Sequence, residues 1–183
     1  MTARPMTLAL ALAVGLGAGA AQAANPTVGG APMLESRNIV ENAVNSPIHT
    51  TLVAAVQAAD LVDTLASPGP FTVFAPVNSG FEALPAGTVE ALLQPENKGT
   101  LQKILTSHVV AGDLSLDTIR ARARANGGFY HFRAVSGDAL SAQVKGNSTY
   151  IYDESGNASR ITIADVDQSN GVIHVIENVL LPR

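Results

Sequence analysis

The sequence predicts an α+β fold in which helices come first and a mainly antiparallel sheet comes last. Two observations carry this prediction. Between Asn38 and Leu65 apolar residues recur at helical spacing (Ile39, Val40, Ala43, Val44, then Leu52, Val53, Val56, then Leu61, Val62, Leu65). From Phe129 onward the pattern switches to period two, in short runs separated by Gly-containing turns. A third observation bounds the architecture: there is no internal repeat, low-complexity tract or second domain in the 183 residues.

The elements follow in order. Residues 1–23 read as a secretory signal: Arg4 supplies the positive start, an apolar run begins at Leu8, and Ala21-Gln22-Ala23 fits the cleavage pattern. Gly15, Gly17 and Gly19 interrupt the run, which argues against a retained span, and no second apolar span follows. The expectation is an exported protein, periplasmic or extracellular, with no transmembrane anchor after cleavage. Residues 24–34, rich in Pro and Gly, are expected to be flexible, and residues 35–183 to form the domain. Ser46-Pro47 divides the first helical region into two predicted helices, with Pro47 at or near the first turn of the second. Ser67-Pro68-Gly69-Pro70 is a turn. Phe71 to Ala75 is a strand that Pro76 ends, followed by a helix capped by Asn78 or Ser79. Helices are predicted over 88–93, 97–110 and 117–125, the last capped by Asp117. Strands are predicted over 129–135, 139–144, 149–153 and 160–164; the pattern ends at Asp165-Val166, and a turn at Asn170-Gly171 leads into the apolar run 172–181.

Composition excludes several classes of function. The absence of cysteine removes disulfides, thiolate metal sites and a Cys nucleophile. Loss of the signal removes Arg4 alone among charged residues, leaving 10 basic against 15 acidic and a net charge of −5. That balance and the low aromatic content disfavour nucleic acid as partner. GxSxG, GxGxxG and GxxxxGK[ST] are missing, and no two of His49, His108, His131 and His174 have metal-ligand spacing, so no catalytic residue, metal or cofactor is assigned. His108 and His174 read as half-buried rings whose nitrogens satisfy backbone groups. Asp165, Asp167 and Asn170 resemble a fragment of a calcium loop but lack its glycine and terminal glutamate, and read as a surface turn. Arg120, Arg122, Arg124 and Arg133 form a candidate anion patch for polysaccharide or lipid headgroups. Asn147 and Asn157 begin glycosylation sequons and read as turn residues.

Two motifs carry a resemblance. Phe71-Thr72-Val73-Phe74-Ala75-Pro76-Val77-Asn78, with Phe81, resembles the first motif of the fasciclin (FAS1) domain family. Gly171-Val172-Ile173-His174-Val175-Ile176, continuing to Pro182, resembles the second. Between them, Ile104 to Val110 resembles the family's Tyr-His segment, with Ser107 at the tyrosine position and His108 retained. The resemblance spans about residues 35 to 182 and is that of a small single-domain secreted bacterial member. It implies a FAS1-like fold, with N-terminal helices on a β-wedge or sandwich. It also implies a non-enzymatic adhesion role toward a cell-surface or matrix protein or polysaccharide. The resemblance also points to a contact site: in animal members an Asp-Ile pair shortly before the second motif is implicated in integrin binding, and the matching positions here are Asp165 and Val166. The candidate adhesion surface is therefore Asp165, Val166, Asp167 and Asn170. A periplasmic carrier of a small ligand and an uncharacterised hydrolase are the alternatives.

Overall fold

The structure is a computed structural model and describes residues 25–183, so the predicted signal lies outside the described residues. The described residues open with a hairpin, β1 (Thr27–Val28) against β2 (Ala31–Pro32), turned by Gly29-Gly30. This corrects the expectation of a flexible segment over 24–34. Val28 and Met33 are each 2% exposed and belong to the main core, so the packed unit begins before residue 35. The Gly-Gly pair between apolar residues is a hairpin signal, and it outweighs the segment's general Pro and Gly content.

The first helical region holds three helices instead of two: α1 (Ile39–Ala43), α2 (Thr50–Ala58) and α3 (Val62–Ala66). Asn38 and Glu41 form a capping box at the start of α1. Pro47 lies in the connection before α2, and Asp60, at φ 53°, separates α2 from α3. The side chain at the start of α2 comes from elsewhere: Asn78 Oδ1 accepts the Thr51 N–H at 3.1 Å. Asn78 thus caps a distant helix and not its own, which corrects its predicted role. Its own helix, α4 (Asn78–Glu82), follows β3 (Phe71–Pro76) and has no side-chain cap. Pro76 remains paired with Ile176, one residue later than the predicted end of the strand.

Next come α5 (Thr88–Leu92), α6 (Lys98–Ser107) and β4 (Val109–Ala111). The helix predicted to reach residue 110 stops at Ser107, because Val109 and Val110 pair with Val73 and Thr72 of β3. Helix α7 (Leu116–Ala125) is capped by Ser115, whose Oγ accepts the Thr118 N–H; Asp117 sits in the first turn instead of capping it. The remaining strands are β5 (Phe129–Arg133), β6 (Ala139–Lys145), β7 (Ser148–Tyr152), β8 (Ala158–Gln168) and β9 (Gly171–Ile176).

Seven strands form one sheet in the order β4-β3-β9-β8-β7-β6-β5. Only β3 and β9 run parallel; the other pairs are antiparallel. The two family-like motifs are therefore neighbouring central strands. Both faces of β3 are covered, which explains its nearly continuous apolar sequence. Val73 and Ala75 face a core that includes Ile39, Leu52, Val56, Leu101 and Leu105 from the helices. Phe74 and Ile176 face a second core with Ile119 of α7 and Leu140, Ala142 and Ile151 of β6 and β7. Phe81 returns α4 to the first core.

Candidate functional site

The segment Asp165–Asn170 closes β8 and turns into β9. A bulge between Ile163 and Val166 shifts the β8–β9 register, and Asp165 takes φ 53° there. This geometry turns the Asp165 carboxylate toward α7, where Oδ1 accepts the Leu116 N–H at 2.7 Å. A carboxylate on a helix N-terminus is favoured by the helix dipole as well as by the hydrogen bond. Val166 points the other way and is fully buried. Asp167 is exposed. Partial desolvation, then the charges of Glu35, Asp113 and Asp165, push its carboxyl above the usual range.

Asn170 is 9% exposed, and all of its side-chain bonds run inward. Its Oδ1 accepts the Ile39 N–H at 3.0 Å, and its Nδ2 donates to the carbonyls of Leu65 (2.8 Å) and Ser67 (3.0 Å). One side chain thus ties α1 and the end of α3 to the β8–β9 turn. The turn residues are Ser169 and Asn170, not Asn170 and Gly171, because Gly171 already pairs with Gln168 and Phe71. Of the four predicted surface residues, Asp165 and Asp167 face outward, while Val166 and Asn170 are structural. Beside them lies an open polar recess of about 680 Å³, lined by Glu35, Asp113, Asp167 and the Pro68–Pro70 turn.

Asp165→Ala loses the bond to Leu116 and leaves alanine at a left-handed φ. It is expected to destabilise by about 1–3 kcal/mol. Asp165→Asn keeps an acceptor and tolerates that φ, and is expected to stay within about 1 kcal/mol of the wild type. Urea unfolding of the two variants checks this, and equal stabilities would contradict it.

The motif histidines are locked into backbone bonds. His174 is fully buried; its Nε2–H donates to the Leu114 carbonyl at 2.7 Å, and its Nδ1 accepts the Asp165 N–H at 3.3 Å. The carbonyl requires a proton on Nε2 and the amide requires a lone pair on Nδ1, so the ring is neutral. Burial holds its pKa down. In His108 the tautomer is reversed: Nδ1–H donates to the Ile104 carbonyl and Nε2 accepts the Leu180 N–H, both at 2.8 Å. Burial lowers its pKa from 6.5 to about 4. Ser107, beside it, is buried and donates to the Ile104 carbonyl at 2.6 Å. The fourth residue of this kind is Thr72, which accepts the Leu114 N–H and donates to the Gly112 carbonyl.

A pH dependence follows. A folded His108 with pKa about 4, against 6.5 when unfolded, binds fewer protons folded than unfolded over that interval. Its contribution is fully present above pH 6.5 and is lost as pH falls through 4, amounting to about 3 kcal/mol. His174 acts in the same direction, and the exposed Asp167 in the opposite one. Unfolding free energy measured by urea titration is expected to fall steadily between pH 7 and pH 4.5, and a flat profile would contradict the assignment.

The four predicted patch arginines do not converge. Arg120 donates to Thr149 Oγ1 (3.1 Å) and the Asn147 carbonyl (2.9 Å), joining α7 to the β6–β7 turn. Arg122 lies over the Tyr130 ring, 5.1 Å from its centroid. Arg124 is exposed, and Arg133 donates to the Gly137 carbonyl of its own hairpin. The spread of period-two positions around a helix accounts for the division.

Sequence reasoning missed an apolar cavity. A cavity of about 180 Å³ opens between the helices and β3, lined almost wholly by apolar side chains, among them Val40, Val44, Leu52, Val56, Leu65 and Val109. Its lining residues read as ordinary core positions, since a sequence records which side chains face inward but not the volume they leave unfilled.

Fold and site together define a scaffold whose two motifs form the central parallel strand pair, and whose motif histidines are spent on backbone bonds. The Fasciclin domain model matches residues 47–182, and the chain belongs to the fasciclin domain family. Over 144 residues it is 49% identical to Protein sll1483 of Synechocystis sp., covering 79% of this chain and 73% of that one. It is 35% identical to the Immunogenic protein MPB70 of Mycobacterium bovis over 166 residues, covering 87% and 77% of the two chains. The transforming growth factor-beta-induced protein ig-h3 of Sus scrofa is 37% identical over 131 residues, which is 72% of this chain but 17% of that far longer one. The fold matches a FAS1 domain pair from the insect cell adhesion molecule Fasciclin I with a TM-score of 0.70 at 17% identity, covering 79% of this chain and 51% of that chain. Among the described residues no helix is long and apolar enough to cross a membrane.

Proposed function

We propose that this chain is an exported, non-enzymatic binding domain that attaches its cell to a surface, matrix or host through protein or polysaccharide contacts. The observation that carries the reading is the use of the motif residues. His108, His174, Asn170 and Thr72 each bond to backbone and hold elements together, leaving recognition to outward side chains. Membership of the fasciclin family and a fold shared with an insect cell adhesion molecule support it. On this reading the recess lined by Glu35, Asp113 and Asp167 contacts the partner. Asp167 is exposed and supports no helix, so Asp167→Asn is expected to fold normally and to lower the attachment of protein-coated beads to the natural surface. Undiminished attachment would remove the recess from the site.

The apolar cavity supports a second reading, a carrier of a small apolar ligand. An apolar cavity of about 150 Å³ engineered into another protein stays dry and takes up benzene, so one of this size is large enough for a small apolar molecule or part of a chain. Native mass spectrometry of protein from its own host is expected to reveal a retained ligand if this reading holds; protein of bare mass would count against it.

A further inference from the structure

The outer face of the β5–β7 ribbon is an aromatic and basic surface that none of the preceding functions uses. Side chains alternate along each strand, so the strand register places outward residues in rows. One row runs Phe129, Gln143, Tyr150, Arg160, and the next runs His131, Ser141, Tyr152, Ala158. Each row crosses four strands and spans about 14 Å. The opposite face of the ribbon packs on α7 through Leu140, Ala142 and Ile151. On the outer face Phe129 is 38% exposed, and His131, Arg133, Lys145 and Arg160 are exposed.

Three features set this face apart. First, it carries aromatic rings in ordered array. The rings of Phe129 and His131 stand parallel, their planes 3° apart and their centroids 6.3 Å apart. Second, its tyrosines are held in place. Lys145 Nζ stands 5.5 Å from the ring centroids of both Tyr150 and Tyr152 and donates to the Tyr152 hydroxyl at 2.8 Å; that hydroxyl donates to Gln143 Oε1 at 3.0 Å. Rings fixed in this way lose little freedom on binding. Third, its charge runs against that of the chain. The protein carries 15 acidic and 11 basic residues, yet β5, β6 and β7 contain no Asp or Glu. The neighbouring carboxylates are engaged at the rim: Glu154 accepts the Ala139 N–H, and Glu177 pairs with Arg160 at 3.7 Å.

We infer that this face binds a linear acidic polysaccharide, one whose sugars carry carboxylates. An aromatic face attracts the polarised C–H groups of a sugar ring, Gln143, Ser141 and the tyrosine hydroxyls exchange hydrogen bonds with sugar hydroxyls, and Lys145 and Arg133 answer the carboxylates. A nucleic acid strand also stacks on rings, but its dense phosphates call for far more cations than this face and this acidic chain supply. The inference rests on the reading of the protein as a binding domain, and it names a partner class for it.

The test is binding of the purified protein to immobilised polygalacturonate, with dextran, polyglutamate and oligothymidylate as controls. Salt-sensitive binding to polygalacturonate alone is expected. The double variant Lys145→Ser/Tyr150→Ala is expected to weaken it by about tenfold or more, as loss of one stacking partner and one cation implies. Lys145→Arg with Tyr150→Phe is expected to retain it. If the double variant melts early, Phe129→Ser with Lys145→Glu serves in its place, because both side chains project outward. Unchanged binding by the folded variants, or equal binding to any control, overturns the inference. If polygalacturonate is not bound but coated beads still attach to the natural surface, the polysaccharide assignment falls and the binding reading stands; loss of both removes both.

Discussion

Phe74→Ala is expected to lower the stability of the domain by about 3–5 kcal/mol, the cost of emptying a large, fully buried aromatic site. Phe74 is the largest side chain of the first motif with no exposure. It stacks on Phe132 at 5.9 Å and on His174 at 5.6 Å. It therefore joins the central strand β3 to β5 across the second core and to the second motif beside it. The relaxation needed to close such a void would have to move three strands at once, and densely packed interiors resist that. For a domain of this length the change corresponds to a fall of roughly 10 °C in thermal midpoint. A midpoint within about 2 °C of wild type would mean that the ring does not seal the core.

Gly171→Ala is expected to be comparably severe for a different reason. A Cβ at Gly171 would stand 1.9 Å from the Phe71 carbonyl oxygen and 2.7 Å from the Phe71 nitrogen. Both are backbone atoms at the first pair of the β3–β9 ladder, so no side-chain rotation relieves the clash. The φ of 153° adds to the difficulty. The ladder has to open at that end, which exceeds the roughly 1–3 kcal/mol of ordinary overpacking. Amide exchange is expected to show protection lost first at Thr72, Val73 and Val172. Protection retained there by the variant would contradict the close approach.

Much of the fold was legible in the sequence because the hydrophobic period switches cleanly. Helical spacing before Leu65 and alternation after Phe129 identified the order of elements and the α+β class. Boundaries failed where a tertiary partner decided them. The helix at Lys98 ends at Ser107 because β3 recruits Val109 and Val110, a pairing that no local residue announces. Asn78 reads as a cap for the helix that it begins, and its side-chain Oδ1 instead serves the N–H of Thr51, 27 residues earlier. The sequence shows the second motif as an apolar run behind a turn at Asn170-Gly171; Gly171 is instead the first residue of β9, and the reason for a glycine there is the nearness of Phe71.

The candidate site was less legible. Asp165 and Asp167 were placed on the surface, but Asn170, of a type that builds surface turns, spends its amide on three backbone groups brought together by the fold. Alternation along a strand sends Val166 to the core between two exposed aspartates, so a linear stretch cannot act as a single surface. The aromatic ribbon was invisible for the same reason. Phe129, Tyr150 and Tyr152 lie far apart in sequence, and only the register of β5, β6 and β7 puts them on one face.

The central claim is that the motifs hold a scaffold together and that the scaffold works by contact. The most direct measurement is attachment of the producing cells to their natural surface, with the gene deleted and with the purified wild-type protein added back. The account predicts that attachment falls on deletion and returns with the added protein, in proportion to the amount bound. Attachment that is indifferent to both would contradict it.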